Sequence, residues 1–595
     1  MYILGISCFY HDAAAVLLHD GMLVAAAQEE RFTRVKHDPG FPSRAIAFCL
    51  KRGGIGPADL DYVVFYEKPF LKFERLLSTI LGTFPRSRQV FLDAMAAWLG
   101  EKLWVRHLIQ ERVGVPRDRI LFCDHHLSHA ASTFFCSPFD EAALLTADGV
   151  GEWTTTAIGF GTAQWNGQGR NHIILDREQR FPHSLGLLYS AFTAFLGFEV
   201  NEGEYKVMGM APFGKPCYVD QVSKLIHVER DGSFALDMSY FSFHHHRTQT
   251  FNQRFVDLFG PPRDPKARFA TAHTSLFDDR DPLTPEEDAR NQRYADIAAS
   301  IQHVTEEVLV TIAKRLAEDT GLRKLCLAGG VALNSVANSR ILRETPFEEI
   351  FVQPAAGDAG GALGAALYVY HVLLGRPRTF VMEHAYWGEE FDQAKVETTL
   401  QKKGVRFERI EDDGALIDRV VDAIVAGKVV GWFQGRAEWG PRALGNRSIL
   451  ADARREEMKD IVNLKIKFRE AFRPFAPSVL AERAREFFAL DGAEGHWPAR
   501  YMLYVVPVRK PEAVPAITHV DGSARLQTVF RDQSPRYAQL IETFGQATGV
   551  PVVLNTSFNL KGEPIVNSPE EALHTFMRSG MDLLVLENAL VVKRD

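Results

Sequence analysis

Apolar residues come in short blocks along this chain, each of strand length and each closed by a Gly- or Asp-containing turn. Tyr2–Ser7 is the first block, and Ala13–Leu18 and Met22–Ala27 follow as two more strands around the turn His19-Asp20-Gly21. A charged loop (29–38) precedes a helical pattern over Pro42–Arg52 that stops at Gly53-Gly54. Asp61–Tyr66 is a strand, Phe70–Val113 reads as amphipathic helices, and Ile120–Cys123 is a strand leading into Asp124–Ser132. Ala142–Thr146 and Trp153–Gly161 then repeat the opening pattern around the turn Asp148-Gly149-Val150-Gly151. Beyond them lie a long helix over Ala295–Thr320, a strand Lys324–Leu327 ending in Gly329-Gly330, and a small-residue helix opened by Gly357-Asp358. In the last third, the strands Val429–Phe433 and Pro551–Leu554 each run into a polar loop.

A strand, an acidic Gly turn and a strand, used twice and followed by a strand running into paired glycines, predict a duplicated α/β fold. Such turns offer backbone N–H groups to phosphate between two lobes, as in actin and the sugar kinases (the ASKHA class). Asp12, Gly149, Gly329, Gly330 and Asn334 are the nucleotide contacts this plan nominates. Lys206 joins them, in a Gly- and charge-rich stretch (183–214) that reads as a loop against a ligand. Ser233–Arg290 is weakly patterned and reads as an insertion or lid; its His244-His245-His246 run is taken as polar surface. Gly375-Arg376-Pro377-Arg378 marks the best boundary, dividing the chain into domains 1–376 and 377–595.

With 46% hydrophobic and 24% charged residues, 595 positions are enough for two large cores. The net charge of −7 argues against a nucleic-acid partner, which favours basic proteins. Six scattered cysteines without a Cys-x-x-Cys pair read as free thiols of a reducing compartment. No signal peptide or membrane span is legible, so a cytoplasmic location with no membrane partner is expected.

Two constellations carry chemistry. His125 and His129 are spaced i, i+4 in a helix for which Asp124 is the expected cap. That spacing sets their Cβ atoms about 5–6 Å apart, within reach of one metal ion. The turn residues Asp148 and Asp358 are candidate carboxylate ligands, although Asp358 alone reads equally as a helix cap. The second constellation is basic: Arg436, Arg442 and Arg447 in one Gly/Pro loop, then Lys465, Lys467, Arg469 and Arg473. Interleaved with Trp439, Phe472 and Phe475 in an acidic protein, these predict a concave site for several phosphate oxygens, with Asn555 and Ser557 alongside.

The chain resembles the NodU/CmcH-type O-carbamoyltransferases over nearly its whole length. The residues that carry the resemblance are Gly5-Ile6-Ser7 with His11-Asp12-Ala13-Ala14, Glu29-Glu30-Arg31-Phe32 with Lys36-His37-Asp38, and the Asp124–His129 stretch. They continue in Lys206-Val207-Met208-Gly209, Gly329–Asn334, Gly357-Asp358, Trp439–Ser448 and Leu554–Asn559. The resemblance implies a C-terminal YrdC-like α/β domain that makes carbamoyl-adenylate from ATP (as its magnesium complex) and carbamoyl phosphate. It further implies an N-terminal domain, similar to the tRNA threonylcarbamoyl-transfer enzymes, that passes the carbamoyl group to a small-molecule hydroxyl. A divalent metal is implied there, iron(II) in such families, with His125, His129, Asp148 and Asp358 as ligands; the donor set alone suits manganese or zinc as well. His11 is the candidate general base, and Lys36 is the candidate stabiliser of the oxyanion or phosphate. The acceptors of such families are specialised metabolites, antibiotics among them. Neither the acceptor nor the oligomeric state is legible here. A tRNA-modifying transferase and a kinase of the sugar-kinase class are the alternatives; the hydrogenase-maturation carbamoyl enzymes fit less well, lacking their Cys-x-x-Cys repeats here.

Overall fold

The first three apolar runs form a meander in the computed structural model, which describes residues 1–165, 169–271, 283–490 and 496–593. β1 (Tyr2–Ser7), β2 (Ala14–His19) and β3 (Met22–Gln28) pair antiparallel. β4 (Tyr62–Phe65) then joins β1 in parallel; helix α1 (Pro69–Thr83) follows, and β5 (Ile120–Phe122) extends the sheet beside β4. The order is β3-β2-β1-β4-β5. After α2 (His125–Phe134) the plan repeats, with β6 (Glu141–Ala147), β7 (Thr154–Thr162) and β8 (His172–Arg180) as an antiparallel meander. Helix α3 (Pro285–Thr320) leads to β9 (Lys324–Ala328) and β10 (Glu349–Val352), which add in parallel beyond β6. The second order, β8-β7-β6-β9-β10 read from the meander edge, matches the first strand for strand. Two copies of one topology are the duplicated α/β plan expected from the repeated turns.

Helix α4 (Asp358–Tyr368) brings the duplicated halves of this unit together, and glycines set how closely it can lie. A Cβ on Gly5 would stand 1.9 Å from the Ala362 carbonyl oxygen, and one on Gly364 would stand 1.7 Å from the Ser128 carbonyl oxygen. The second neighbour is helix backbone and cannot swing away. We therefore expect Gly364→Ala to destabilise this unit by on the order of 1–3 kcal/mol, as overpacking does. Differential scanning calorimetry would show a lowered melting transition; an unchanged one would refute the backbone-to-backbone crossing. Helix α3 begins at Pro285, ahead of the periodic stretch, because Pro and three acids (Glu286, Glu287, Asp288) form a good first turn without any apolar face.

Two compact units divide the chain, but not as contiguous halves. The first comprises Met1–Glu29, His37–Arg268 and Ala289–Met382; the second comprises Glu30–Lys36, Phe269–Asp288 and Glu383–Asp595. Arg31 and Arg34 show why Glu30–Lys36 counts with the second unit: they donate to the carbonyls of Gly440 (2.7 Å), Ile565 (2.7 Å) and Pro564 (2.8 Å). The insertion read over 233–290 is thus shared between units, and its residues 272–282 lie outside the described ones.

The second unit is built on an eight-stranded mixed sheet. In chain order its strands are β11 (Glu408–Arg409), β12 (Val430–Phe433), β13 (Arg447–Asp452), β14 (Ala476–Leu480), β15 (Gln527–Val529), β16 (Val552–Ser557), β17 (Leu583–Leu586) and β18 (Ala589–Val592). They are arranged β11-β18-β17-β12-β13-β16-β14-β15. The helices over Asp413–Val425 and Pro535–Thr548 cover it, with Leu416, Val420, Ile424, Leu540, Ile541 and Phe544 packed on Trp432, Val553 and Val585. Among the described residues, no helix is long and apolar enough to cross a membrane.

Candidate active site

Helix α2 starts directly after β5, so its first turn emerges at the carboxyl end of a parallel strand, where α/β sheets place their ligands. Asp124 does not cap it, contrary to expectation: its carboxylate is taken by Lys68 Nζ at 2.8 Å. Glu152 satisfies the helix N-terminus instead, its carboxylate oxygens accepting from the His125 backbone N–H at 3.1 and 3.2 Å. A residue distant in sequence can cap a helix as well as an adjacent one, and only the fold brings it there.

His125, His129, Asp148 and Asp358 converge. One ligand atom from each lies within 4.8 Å of the others, and all four residues are buried. His125 Nε2 is 3.0 Å from Asp148 Oδ2, 3.1 Å from His129 Nε2 and 3.8 Å from Asp358 Oδ1. His129 Nε2 stands 3.4 Å from Asp148 and 3.6 Å from Asp358. Asp358 is 1% exposed and, among the described residues, both its carboxylate oxygens are without a hydrogen bond, a costly arrangement for a buried carboxylate. Two imidazole nitrogens and two carboxylates facing one point, with orphaned oxygens among them, fit a divalent cation of the iron, manganese or zinc kind. Asp148 also accepts from the Gly330 N–H at 3.0 Å, which ties one Gly-rich turn to the other.

Electrostatics follow from this crowding. Burial pushes His129 down, but the carboxylates of Asp148 and Asp358 outweigh it and hold the imidazole up to about 9. Burial also acts against the Asp148 carboxylate, yet His125 and His129 bring it well below the usual range. The middle histidine, His126, is driven well below its ordinary value by burial and by its two neighbours. It sits between strands, with ring nitrogens 2.7 Å from Thr146 Oγ1 and 2.9 Å from the Thr154 carbonyl, and is part of the core.

His11 reaches the same point. It lies on a turn in which Phe9 (φ 76°) and Asp12 (φ 52°) both hold left-handed backbone, which non-glycine residues adopt at a cost of order 1–3 kcal/mol. Its Nε2 is 4.0 Å from Asp358 Oδ2 and its Nδ1 is 2.9 Å from Asp12 Oδ2. Burial opposes the charge on His11, but Asp358 and the bond to Asp12 prevail and raise it to about 9. Asp12 is thereby spoken for, its other oxygen taking His37 Nδ1 at 2.7 Å.

The remaining nominated residues separate. In the first unit, the side chain of Asn334 caps the following helix through the Ala337 N–H (3.1 Å) and bonds Gln302. Gly329 takes φ 91°, where a Cβ would lie 2.2 Å from the Ala147 carbonyl oxygen; the Gly149 carbonyl accepts from Ser184 Oγ at 2.7 Å. Lys206 Nζ stands 5.6 Å over the Phe198 ring. In the run 244–246, His246 Nδ1 accepts from the Thr248 and Gln249 N–H groups at 3.3 and 3.0 Å, which makes it a turn residue.

In the second unit, the basic residues divide into scaffold and cluster. Arg447 is fully buried against the Phe433 ring (3.5 Å) and spends its guanidinium on the carbonyls of Gln434, Asn446, Glu389 and Gly435. Arg436 likewise donates to the carbonyls of Gly388 and Trp387, at 3.2 and 2.6 Å. Both shape the loop from below. Arg442, in the same loop, is half-buried, and Lys465 is exposed. Asn555 is buried in a network with Ser478 Oγ (3.1 Å) and Gln527 Oε1 (2.9 Å). Lys467 is the centre of the cluster. Its Nζ donates to the Ser557 and Asn559 carbonyls (2.7 and 2.8 Å) and to Asn559 Oδ1 (2.5 Å). Burial, then the nearby charges of Arg469, Arg473 and Lys36, bring its pKa well below the ordinary lysine value. Lys36, nominated for the transfer centre, is thus grouped with the second unit's basic residues; its tertiary neighbours decide this, and no local pattern could.

The fold and the site together define a two-unit α/β protein, one unit a duplicated five-stranded plan carrying the four-residue cluster, the other built on an eight-stranded mixed sheet. The signature described as Carbamoyltransferase N-terminus spans residues 2–367 and that described as Carbamoyltransferase C-terminus spans 421–593. The chain belongs to the carbamoyltransferase family. It is 49% identical to the uncharacterized protein sll1178 of Synechocystis, over 100% of this chain and 97% of that protein. It is 39% identical to the nodulation protein NolNO of Sinorhizobium fredii, over 98% of this chain and 79% of the relative. The 3'-hydroxymethylcephem-O-carbamoyltransferase of Streptomyces clavuligerus is 38% identical over 46% of this chain and 49% of its own length.

Proposed function

We propose that this carbamoyltransferase joins two half-reactions. At the second unit, carbamoyl phosphate loses its phosphate to water, and a carbamate oxygen attacks the α-phosphorus of ATP. Carbamoyl-adenylate forms and pyrophosphate leaves. At the first unit, the hydroxyl oxygen of a small-molecule acceptor attacks the carbamoyl carbon, AMP departs with the bonding pair, and the hydroxyl proton passes to a base. The observation that carries this reading is the convergence of His125, His129, Asp148 and Asp358 within 4.8 Å beside His11.

His125, His129, Asp148 and Asp358 would hold a divalent cation, with iron(II) favoured. That cation, when bound, supplies charge to the adenylate phosphate and polarises the carbamoyl carbonyl. The protein groups supply placement. The strained Phe9–Asp12 turn presents His11 toward Asp358; with the Asp358 charge taken up by a bound cation, the imidazole would lose the main interaction that keeps it protonated and be the group to take the hydroxyl proton. The Gly149, Gly329 and Gly330 turns allow phosphate to approach the backbone. In the second unit Arg469, Arg473 and Lys36, gathered around the buried Lys467, concentrate positive charge for phosphate oxygens. A carbamate is a poor electrophile because its nitrogen donates into the carbonyl, and the mixed anhydride with AMP repairs that with a good leaving group. The likeness to the cephem carbamoyltransferase supports a specialised metabolite as the hydroxylated acceptor.

Product analysis tests the reading. Incubating the enzyme with ATP and labelled carbamoyl phosphate is expected to release pyrophosphate and, after transfer or hydrolysis, AMP. ADP as the nucleotide product would instead make the protein a kinase of the same fold class. Salt-sensitive binding of tRNA would move the acceptor to nucleic acid.

A further inference from the structure

Resting on the cation reading of the four-residue site, we propose that Glu67, held in place by Lys72, orients His125 there: a positioning residue outside the ligand set. His125 directs Nε2 at Asp148, His129 and Asp358. Its other nitrogen, Nδ1, is buried without a hydrogen-bond partner among the described residues, and Glu67 Oε2 faces it at 3.8 Å. That separation exceeds a hydrogen bond by about 1 Å. An imidazole that gives one nitrogen's lone pair to a metal keeps its proton on the other nitrogen, and a carboxylate or carbonyl normally holds that N–H.

The surroundings leave the ring little choice of direction. The Tyr66 ring lies against it with centroids 5.4 Å apart. On another side is the Gly151 backbone, where a Cβ would stand 2.8 Å from the imidazole. Arg75, on α1, steadies that loop by donating to the Gly151 carbonyl at 3.0 Å. Lys72, one turn earlier on α1, donates to Glu67 Oε2 at 2.6 Å, the same oxygen that faces His125. Both members of this pair are buried, at 4% and 7% exposure. A buried ion pair generally adds little net stability over apolar side chains of the same size, so its placement against an unpartnered ligand nitrogen points to positioning.

Cobalt(II) binding to the full-length enzyme, stripped of metal with a chelator, tests this. Affinity is read by chelator competition and the site geometry by the visible absorption of the bound ion. Glu67→Gln is expected to weaken binding about 10–100-fold and to shift the cobalt spectrum. Because it strands the Lys72 charge, the companion variant Glu67→Gln with Lys72→Met removes both charges; it should show the same loss of affinity with the melting temperature of the wild type. Wild-type binding that His129→Ala leaves unchanged would overturn the cation reading itself. Wild-type binding that does depend on His129, with the double variant equally tight, would overturn only the role of Glu67. A double variant that melts well below the wild type would make the pair part of the core and overturn it too.

Discussion

Asp358→Asn should reduce carbamoyl transfer at least about a hundredfold, while pyrophosphate release from ATP and carbamoyl phosphate stays within about twofold. Asp358 closes the four-residue cluster from the start of α4, faces the imidazoles of His125 and His129, and stands 4.0 Å from His11. Its carboxylate is 1% exposed and accepts no hydrogen bond among the described residues, and the cost of burying it that way offsets its attraction to the His11 and His129 imidazoles. The variant should therefore melt at or above the temperature of the parent, as happens when a strained functional group is relieved. The measurements are transfer from supplied carbamoyl-adenylate, pyrophosphate release, and calorimetry. If both half-reactions fall together, the division of labour between the units is wrong.

Lys467→Met should have the converse effect, with pyrophosphate release falling at least about a hundredfold and transfer from supplied carbamoyl-adenylate retained. Two causes act together. The ammonium pins the Ser557–Asn559 turn through two carbonyls and the Asn559 side chain, and its loss leaves buried acceptors unpaired at about 1–3 kcal/mol each. It also removes the residue around which Arg469, Arg473 and Lys36 gather, and so their placement toward phosphate oxygens. Unlike Asp358→Asn, this variant should lower the melting transition of its own unit. A variant that makes adenylate at the parental rate would show the cluster to be scaffold, as Arg447 is.

Several features of the site were legible because they depend on local spacing. The i, i+4 histidines share a helix face wherever the helix lies, and both are in the cluster. His126, between them, points elsewhere for the same reason. Charge-rich loops were less informative. Arg436 and Arg447 have the composition of phosphate ligands, yet their guanidinium groups hold main-chain carbonyls inside the loop. An arginine offers the same donors to a carbonyl as to a phosphate, and the sequence does not record which it meets. Glu67, Lys72 and Glu152 carried no local signal at all, because their partners come from other strands and helices.

The order of apolar runs and Gly turns, by itself, determined the α/β class, the repeated strand-turn-strand plan and the shared face of the two histidines. Each is a matter of short-range periodicity and of backbone torsions that few residues tolerate. Only the tertiary structure decided that Asp148 and Asp358 close on that face, that Glu152 replaces Asp124 as the helix cap, and that Glu30–Lys36 counts with the second unit. Those outcomes depend on which distant backbones can approach, and at Gly5 and Gly364 the approach requires the absence of a single carbon atom.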